Sequence, residues 1–444
     1  MDVVSVIEQN LSKRREKSKA DEKFTIFRVP AHIRQTNKHL YEPRMVSIGP
    51  YYHGSASFQA MENHKWRYLE DYLSRNTGNS IRECIFELKK LESLARNCYF
   101  EGVDLKSDEF LLMMLLDGCF IIELLIKWNH GFSDVIFDVG WVLPIIRNDL
   151  LLLENQIPFF VIEKLFSLLG DPVAAGDEKI TLRIAPLIQM LLAYLSEGRQ
   201  TARPVFKVGE IEHILHVYHH CYVPDRSGNS LSTNSINVKH YLNPKNCFKG
   251  RPQSSNRRAP RTIPCATELQ EAGITFKRRK TTNILDIKFR EGTLEIPFIS
   301  IEDTRRTRLL NLVSFEQCYS KLNNDLTSYA CFMGALFKTT RDVKLLQEKG
   351  IIDNLLATNE ELVSFFNWLT ENSYLDYEEH YLKDLFINVN RYFNSNCHKW
   401  RATLKRDYFS NPWSFISVIA AFALLVLSFL QTLYTILSYK NQKN

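Results

Sequence analysis

Three histidines, His213, His216 and His220, fall within EIEHILHVYHHC, Glu210 to Cys221, where helical spacing would gather them within roughly 60° of arc on one face. Imidazoles so placed could bind a metal ion. Residues 213 and 220, however, would stand about 10.5 Å apart along a helix axis, so one ion cannot gather all three. No H-E-x-x-H pattern or evident carboxylate partner completes a zinc site, and the histidines read as core or exposed side chains. Four acids are the other candidates. Asp117 and Glu123 interrupt the 17-residue apolar run Phe110 to Ile126, while Asp149 and Glu154 flank the run of leucines in DLLLLENQIPFF. Paired carboxylates could act as general acid and base. The six-residue offset of Asp117 and Glu123 puts them about 240° apart around a helix, so they read as pairing or capping groups of a core helix. Glu154, Asn155 and Gln156 form a polar triplet in an otherwise apolar stretch, which reads as structural, satisfying backbone groups at a chain break, or else as a site.

The elements that must position these groups are mostly helical. Apolar periodicity predicts helices over Ser80 to Phe100 and Ser107 to Asn129, with Ser107 as the cap of the second and Asp108 and Glu109 in its first turn. Another is expected to start at Asn148 or Asp149 and run to Leu169, kinked or broken at Pro158, which lacks an N–H. Phe24 to Gly54, rich in Pro, Gly and aromatics, reads as turns and extended chain. Ile274 to Lys277, Ile284 to Phe289 and Leu294 to Ile301 read as short strands with a polar turn at Arg290 to Gly292. Further helices are expected over Thr307 to Asn323, Tyr329 to Thr339, Val343 to Lys349, Asn359 to Thr370 and Tyr381 to Lys405. The fold class is therefore mainly α with a small β element: a helical soluble body followed by one C-terminal transmembrane helix.

That last element rests on Trp413 to Leu437, 25 residues without a charge, enough to span a core of about 30 Å. Lys399, Arg401, Lys405 and Arg406 precede it and only Lys440 and Lys443 follow. This bias predicts a single-pass, tail-anchored protein with a cytosolic body and the lipid bilayer as a partner. The resulting division is an N-terminal helical part at 1–222, a basic flexible loop at 223–262, a C-terminal part at 263–408, the span at 413–437 and a tail at 438–444. At the other end, Val3, Val4, Ile7 and Leu11 share one side of a short helix followed by the basic run SKRREKSK. It reads as a solvated arm packed onto the body, the alternative being a helix lying on an anionic membrane.

Composition excludes more than it assigns. The 444 residues are 45% hydrophobic and 24% charged, which is globular rather than disordered. Ten of the basic residues lie between Lys245 and Lys280 against Glu268 and Glu271, so the net charge of +6 is local. Much of that excess falls in an apparent loop without the aromatic or helical context of a nucleic-acid face. Nine cysteines without a C-x-x-C pair argue against a zinc ribbon or a disulfide framework and fit reduced thiols. No Gly-rich phosphate loop or G-x-S-x-G elbow occurs. No residue is assigned a catalytic, cofactor-binding or metal-binding role, and no cofactor is expected.

Six long blocks carry a family resemblance: FRVPAHIRQTNKHLYEPRMVSIGPYYHG at 27–54, MMLLDGCFIIELL at 113–125, DLLLLENQIPFFVIEKLF at 149–166, ATELQEAGITFK at 266–277, LDIKFREGTLEIPFISIEDTRRTRLLNLVSFEQC at 285–318 and DVKLLQEKGIIDNLL at 342–356. In order and extent the chain resembles the plant-specific family called domain of unknown function 247, an uncharacterised family of plant membrane proteins. Gly334 and Ala357 depart from the acidic residue and the glycine expected there. The resemblance implies a largely helical, single-pass plant protein of undefined molecular function, with no catalytic residues to carry over. Some relatives are implicated in self-incompatibility of grasses, which points to recognition or signalling. The leading reading is a non-enzymatic interaction module with protein partners not identifiable from sequence. The alternatives are a hydrolase-like enzyme built on Asp117, Asp149 and Glu154, and binding of nucleic acid or anionic lipid through the basic loop.

Overall fold

A computed structural model describes residues 2–5, 7–9, 11, 24–75, 80–169, 178–196, 209–223, 259–395 and 412–441. Most of the expected basic loop, 224–258, lies outside them. The described chain divides into two compact units, the first formed by 1–255, 301–330 and 369–375 and the second by 256–300, 331–368 and 376–444.

In the first unit, the short helix α1 (Ala31–Thr36) is followed by α2 (Gln59–Arg75), α3 (Ile81–Arg96) and α4 (Ser107–His130). Because α4 is apolar on every side, it is buried almost throughout, and α2, α3, α7 (Phe159–Leu168) and α8 (Glu178–Leu195) pack around it. Cys84, Leu88 and Ala95 form the buried stripe of α3 at spacings of four and seven, as a surface helix requires. The cap of α4 is Lys106 rather than Ser107: Glu109 accepts the Lys106 N–H, and the Ser107 hydroxyl instead donates to Glu92. After the single turn α5 (Val135–Asp138), α6 (Val142–Asp149) stops where a helix was expected to begin. Residues 150–158 are non-helical before α7 starts at Phe159, with Pro158 as its N-cap. The expected kink at Pro158 is thus a nine-residue break. This unit also holds α9 (Ile214–His220) and α11 (Asp303–Cys318).

The second unit opens with α10 (Ala266–Glu271) and holds a three-stranded sheet ordered β1-β3-β2. Strands β1 (Thr275–Arg279) and β3 (Thr293–Pro297) pair in parallel from Thr275↔Thr293 to Arg279↔Pro297, and β2 (Lys288–Arg290) pairs antiparallel with β3. Glu291 and Gly292 make the two-residue hairpin turn with φ of 49° and 76°, the positive-φ pair that matches strand twist. β4 (Ile299–Ile301) and β5 (Ile352–Asn354) form a second small sheet. Helices α12 (Asp325–Leu336), α13 (Thr340–Glu348), α14 (Asn359–Glu371) and α15 (Lys383–Phe393) follow the expected order in the chain, with 325–330 of α12 and 369–371 of α14 counted in the first unit.

The C-terminal helix α16 (Pro412–Asn441) forms, but no helix among the described residues is long and apolar enough to cross a membrane. This overturns the transmembrane reading of Trp413 to Leu437, and with it the single-pass, tail-anchored architecture. Ser428, Gln431, Thr432 and Thr435 interrupt the apolar run of α16. The N-terminal arm is corrected too: Val3, Val4, Ile7 and Leu11 are exposed rather than packed onto the body.

Candidate functional site

The segment 24–54 is largely irregular yet enters the core of the first unit, where Ile26, Val29, Leu40, Tyr41, Val46 and Ile48 are buried. Irregular buried backbone has no ladder to satisfy it, so its N–H and C=O groups need partners from elsewhere. Part of the solution is main-chain: the Thr25 and Ile26 N–H groups donate to the Cys98 carbonyl, and the Phe100 N–H to that of Ile26. The rest comes from the polar groups that looked most chemical in the sequence.

Asp149, at the last turn of α6, accepts three consecutive backbone N–H groups: Arg44 at 3.0 Å on Oδ1, and Met45 at 2.7 Å and Val46 at 2.9 Å on Oδ2. Asn155 takes the Ile48 N–H at 2.7 Å and donates to the carbonyls of Val46 and Asp149. Glu154 accepts the Val29 N–H at 2.9 Å on Oε1; its Oε2 takes Arg34 at 3.1 Å and the Tyr52 hydroxyl at 2.7 Å. Gln156 donates to the carbonyls of Leu150 and Leu152 and accepts from the Leu215 N–H, while its own carbonyl takes the Tyr99 hydroxyl. Glu154 and Asn155 thereby tie the break at 150–158 to segment 24–54, while Gln156 closes the break on itself and onto Tyr99 and Leu215.

Asp117 belongs to the same framework. Its Oδ2 accepts the Gly49 N–H at 2.8 Å, and its Oδ1 meets the Lys65 ammonium at 2.6 Å. Lys65, only 1% exposed, also donates to the Ser47 carbonyl and to Glu62. Burial works to lower its pKa, but Asp117 and Glu62 outweigh burial and hold it raised and charged. Glu123 stands apart, bonded through both oxygens to the Arg75 Nε. Burial pushes the Asp149 carboxyl up to about 6 against the pull of its three N–H donors.

Asp117, Asp149 and Glu154 are 1%, 2% and 1% exposed, and each has both oxygens engaged. A general base needs a lone pair aimed at a substrate proton. In these three acids each oxygen already accepts at least one hydrogen bond from the fold. Sequence reasoning missed Lys65, although it lies in the stripe Met61, Lys65, Tyr68, Tyr72 of α2; a lysine on a helix's buried face demands a buried acid. It also missed Asn311, which receives the Leu153 N–H and donates to the carbonyls of Leu40 and Thr307.

The histidines do not share a helical face, because His213 is the N-cap of α9 with extended backbone. Its Nδ1 accepts the His216 N–H, so Nε2 carries the proton and donates to the Thr25 carbonyl at 3.1 Å. His216 Nδ1 accepts the Glu212 N–H and its Nε2 meets His220 Nε2 at 3.0 Å; His219 Nε2 meets Glu316 at 2.9 Å. Among the described residues no group of three His, Cys, Asp or Glu side chains could hold a metal ion. The seven described cysteines are free of disulfides.

Burial lowers the His213 pKa to about 3. Below pH 6.5 the unfolded chain takes a proton that the folded chain refuses until about pH 3, so this group's contribution is full above 6.5 and is lost as pH falls. It amounts to about 2 kcal/mol between pH 7 and pH 5. Unfolding free energies of wild type and His213→Gln at the two pH values should differ in slope by that amount; equal slopes would contradict it.

The sequence profile for a plant protein of unknown function, DUF247, matches residues 26–427. The chain is 31% identical to UPF0481 protein At3g47200 of Arabidopsis thaliana over 443 residues, covering 96% of this chain and 89% of that one. It is 23% identical to the putative UPF0481 protein At3g02645 of the same plant over 482 residues, covering 92% and 89%. No solved structure matches. With a family profile spanning nearly the whole chain, and the buried frame built from the blocks at 27–54, 113–125 and 149–166, the chain belongs to the DUF247 family of plant proteins, whose molecular function is undefined.

Proposed function

We propose that this chain is a non-enzymatic protein-interaction or recognition module. One observation carries the reading: the three acids best suited to catalysis are consumed in suspending segment 24–54, through five backbone N–H groups, one ammonium, one guanidinium and one phenol. Catalytic acids sit where a substrate proton can reach them. Here the polar centre instead fixes a scaffold, and recognition falls to its surface.

The test pairs two measurements. Proximity labelling from this protein in plant cells should return one reproducible set of neighbouring proteins. A panel of ester, peptide, phosphate and glycosidic substrates should show no turnover that depends on Glu154. Turnover by wild type that Glu154→Gln abolishes, with the unfolding midpoint kept, would contradict the proposal and establish an enzyme.

A further inference from the structure

The first unit leaves two apolar faces uncovered. Val3, Val4, Ile7 and Leu11 are 71%, 56%, 51% and 48% exposed, and helical spacing gathers them in a stripe roughly 100° wide. At the corner between α4 and α6, Phe132, Val135, Val139 and Trp141 are 46%, 54%, 36% and 63% exposed. Single exposed apolar residues are ordinary, but four large ones within ten residues, two of them aromatic, form an anchor-type patch. The corner is also braced. Asp134 accepts the Ile136 N–H, and the Lys127 ammonium bridges Asp134 and Asp71 at 2.6 Å each.

We infer that two copies of this chain associate reciprocally, the N-terminal helix of each docking on the Phe132–Trp141 corner of the other. This rests on the reading of the chain as an interaction module. Charge selects the pairing. One lysine serves both Asp71 and Asp134, and Asp138 is exposed beside them, which leaves the corner negative; the Arg75 guanidinium over Phe132 is matched by Glu123. The sequence running on from Leu11, SKRREKSK, carries five basic residues and one acid. An apolar stripe with a cationic tail therefore meets an apolar corner with an anionic rim. A second copy supplies both halves, which stay exposed among the described residues of one chain. An anionic lipid surface fits less well, because the helix itself bears Asp2 and Glu8 and has no basic residue before Lys13, while interfacial helices carry Lys and Arg on their polar face.

Sedimentation of the full chain from about 1 to 100 µM reads the association directly. Wild type should show a monomer–dimer equilibrium that weakens with salt. Ile7→Asp and Trp141→Asp, both on exposed side chains, should each weaken it by roughly tenfold or more without moving the unfolding midpoint of the dilute monomer. Asp138→Arg should weaken it, and adding Arg14→Glu and Arg15→Glu to the same chain should restore it. A wild type that stays monomeric throughout, or a dimer that neither Ile7→Asp nor Trp141→Asp affects, overturns the inference. So does a monomer that binds phosphatidylserine vesicles through Ile7. None of these outcomes bears on the labelling experiment, so the two proposals fail separately.

Discussion

Gly49→Ala is expected to unfold the first unit, while Gly54→Ala costs only about 1–2 kcal/mol. Both glycines lie at positive φ, 78° and 74°, so both substitutions meet the same left-handed penalty. Their surroundings differ. A Cβ on Gly49 would stand 2.3 Å from the Gln156 carbonyl oxygen, whereas one on Gly54 meets nothing within 4 Å. The obstacle at Gly49 is main chain, which no rotamer can move, and relief requires 48–50 to part from 155–156. That separation breaks the Ile48 bond to Asn155 and the Gly49 bond to Asp117, leaving a buried carboxylate short of a donor. Strain, clash and orphaned groups together exceed about 5 kcal/mol. Denaturant unfolding of the two variants side by side checks this. Equal, modest losses would show that strain alone matters and that the contact with residue 156 is slack.

Asp149→Asn should cost about 2–4 kcal/mol although it changes one atom. A carboxylate offers acceptors on both oxygens, which the N–H groups of Arg44, Met45 and Val46 fill. The amide keeps one acceptor and turns an NH2 toward a donor, so one buried N–H loses its partner and faces another N–H. Asp149→Ala, which orphans all three, should cost more. There is a pH signature as well. With its folded pKa raised to about 6 above the unfolded 3.8, the wild-type carboxyl contributes stability at acid pH that is lost as pH rises through 6. The Asn variant lacks this term, so its deficit should be about 1 kcal/mol larger at pH 5 than at pH 7. This slope opposes that of His213, and each is read as a difference between wild type and its own variant. A deficit that does not change with pH would mean that Asp149 stays ionised throughout.

Long helices were legible: Ser80 to Phe100 and Ser107 to Asn129 hold α3 and α4 within a few residues, the first because a 3.6-residue stripe is local information and the second because its apolar run is too long for a strand and opens on Asp108 and Glu109. Three of the four strands of 274–301 came near, but the parallel pairing of β1 with β3 did not, since pairing is set by tertiary packing. The apolar run after Asp149 misled for the same reason. DLLLLENQIP has helical composition, yet Leu150 to Leu153 are buried in a non-helical break whose backbone groups are met by Asn155, Gln156 and Asn311 across the unit. The triplet at 154–156 reads from sequence as structural ahead of a site, but its partners do not: Val29 and Ile48, bound by Glu154 and Asn155, sit more than 100 residues away in segment 24–54. Trp413 to Leu437 misled in the opposite direction: the run carries no charge, but Ser428, Gln431, Thr432 and Thr435 break its apolar surface.

Hydrogen exchange over 24–54 tests most directly the claim that the buried acids are scaffolding. The amides of Val29, Arg44, Met45, Val46, Ile48 and Gly49 should exchange only with global opening of the first unit, as slowly as those of α4, and Asp149→Asn should release them together. Fast exchange in wild type while α4 stays protected would mean that these carboxylates are not committed to the backbone, and would return Asp117, Asp149 and Glu154 to candidacy as reactive groups.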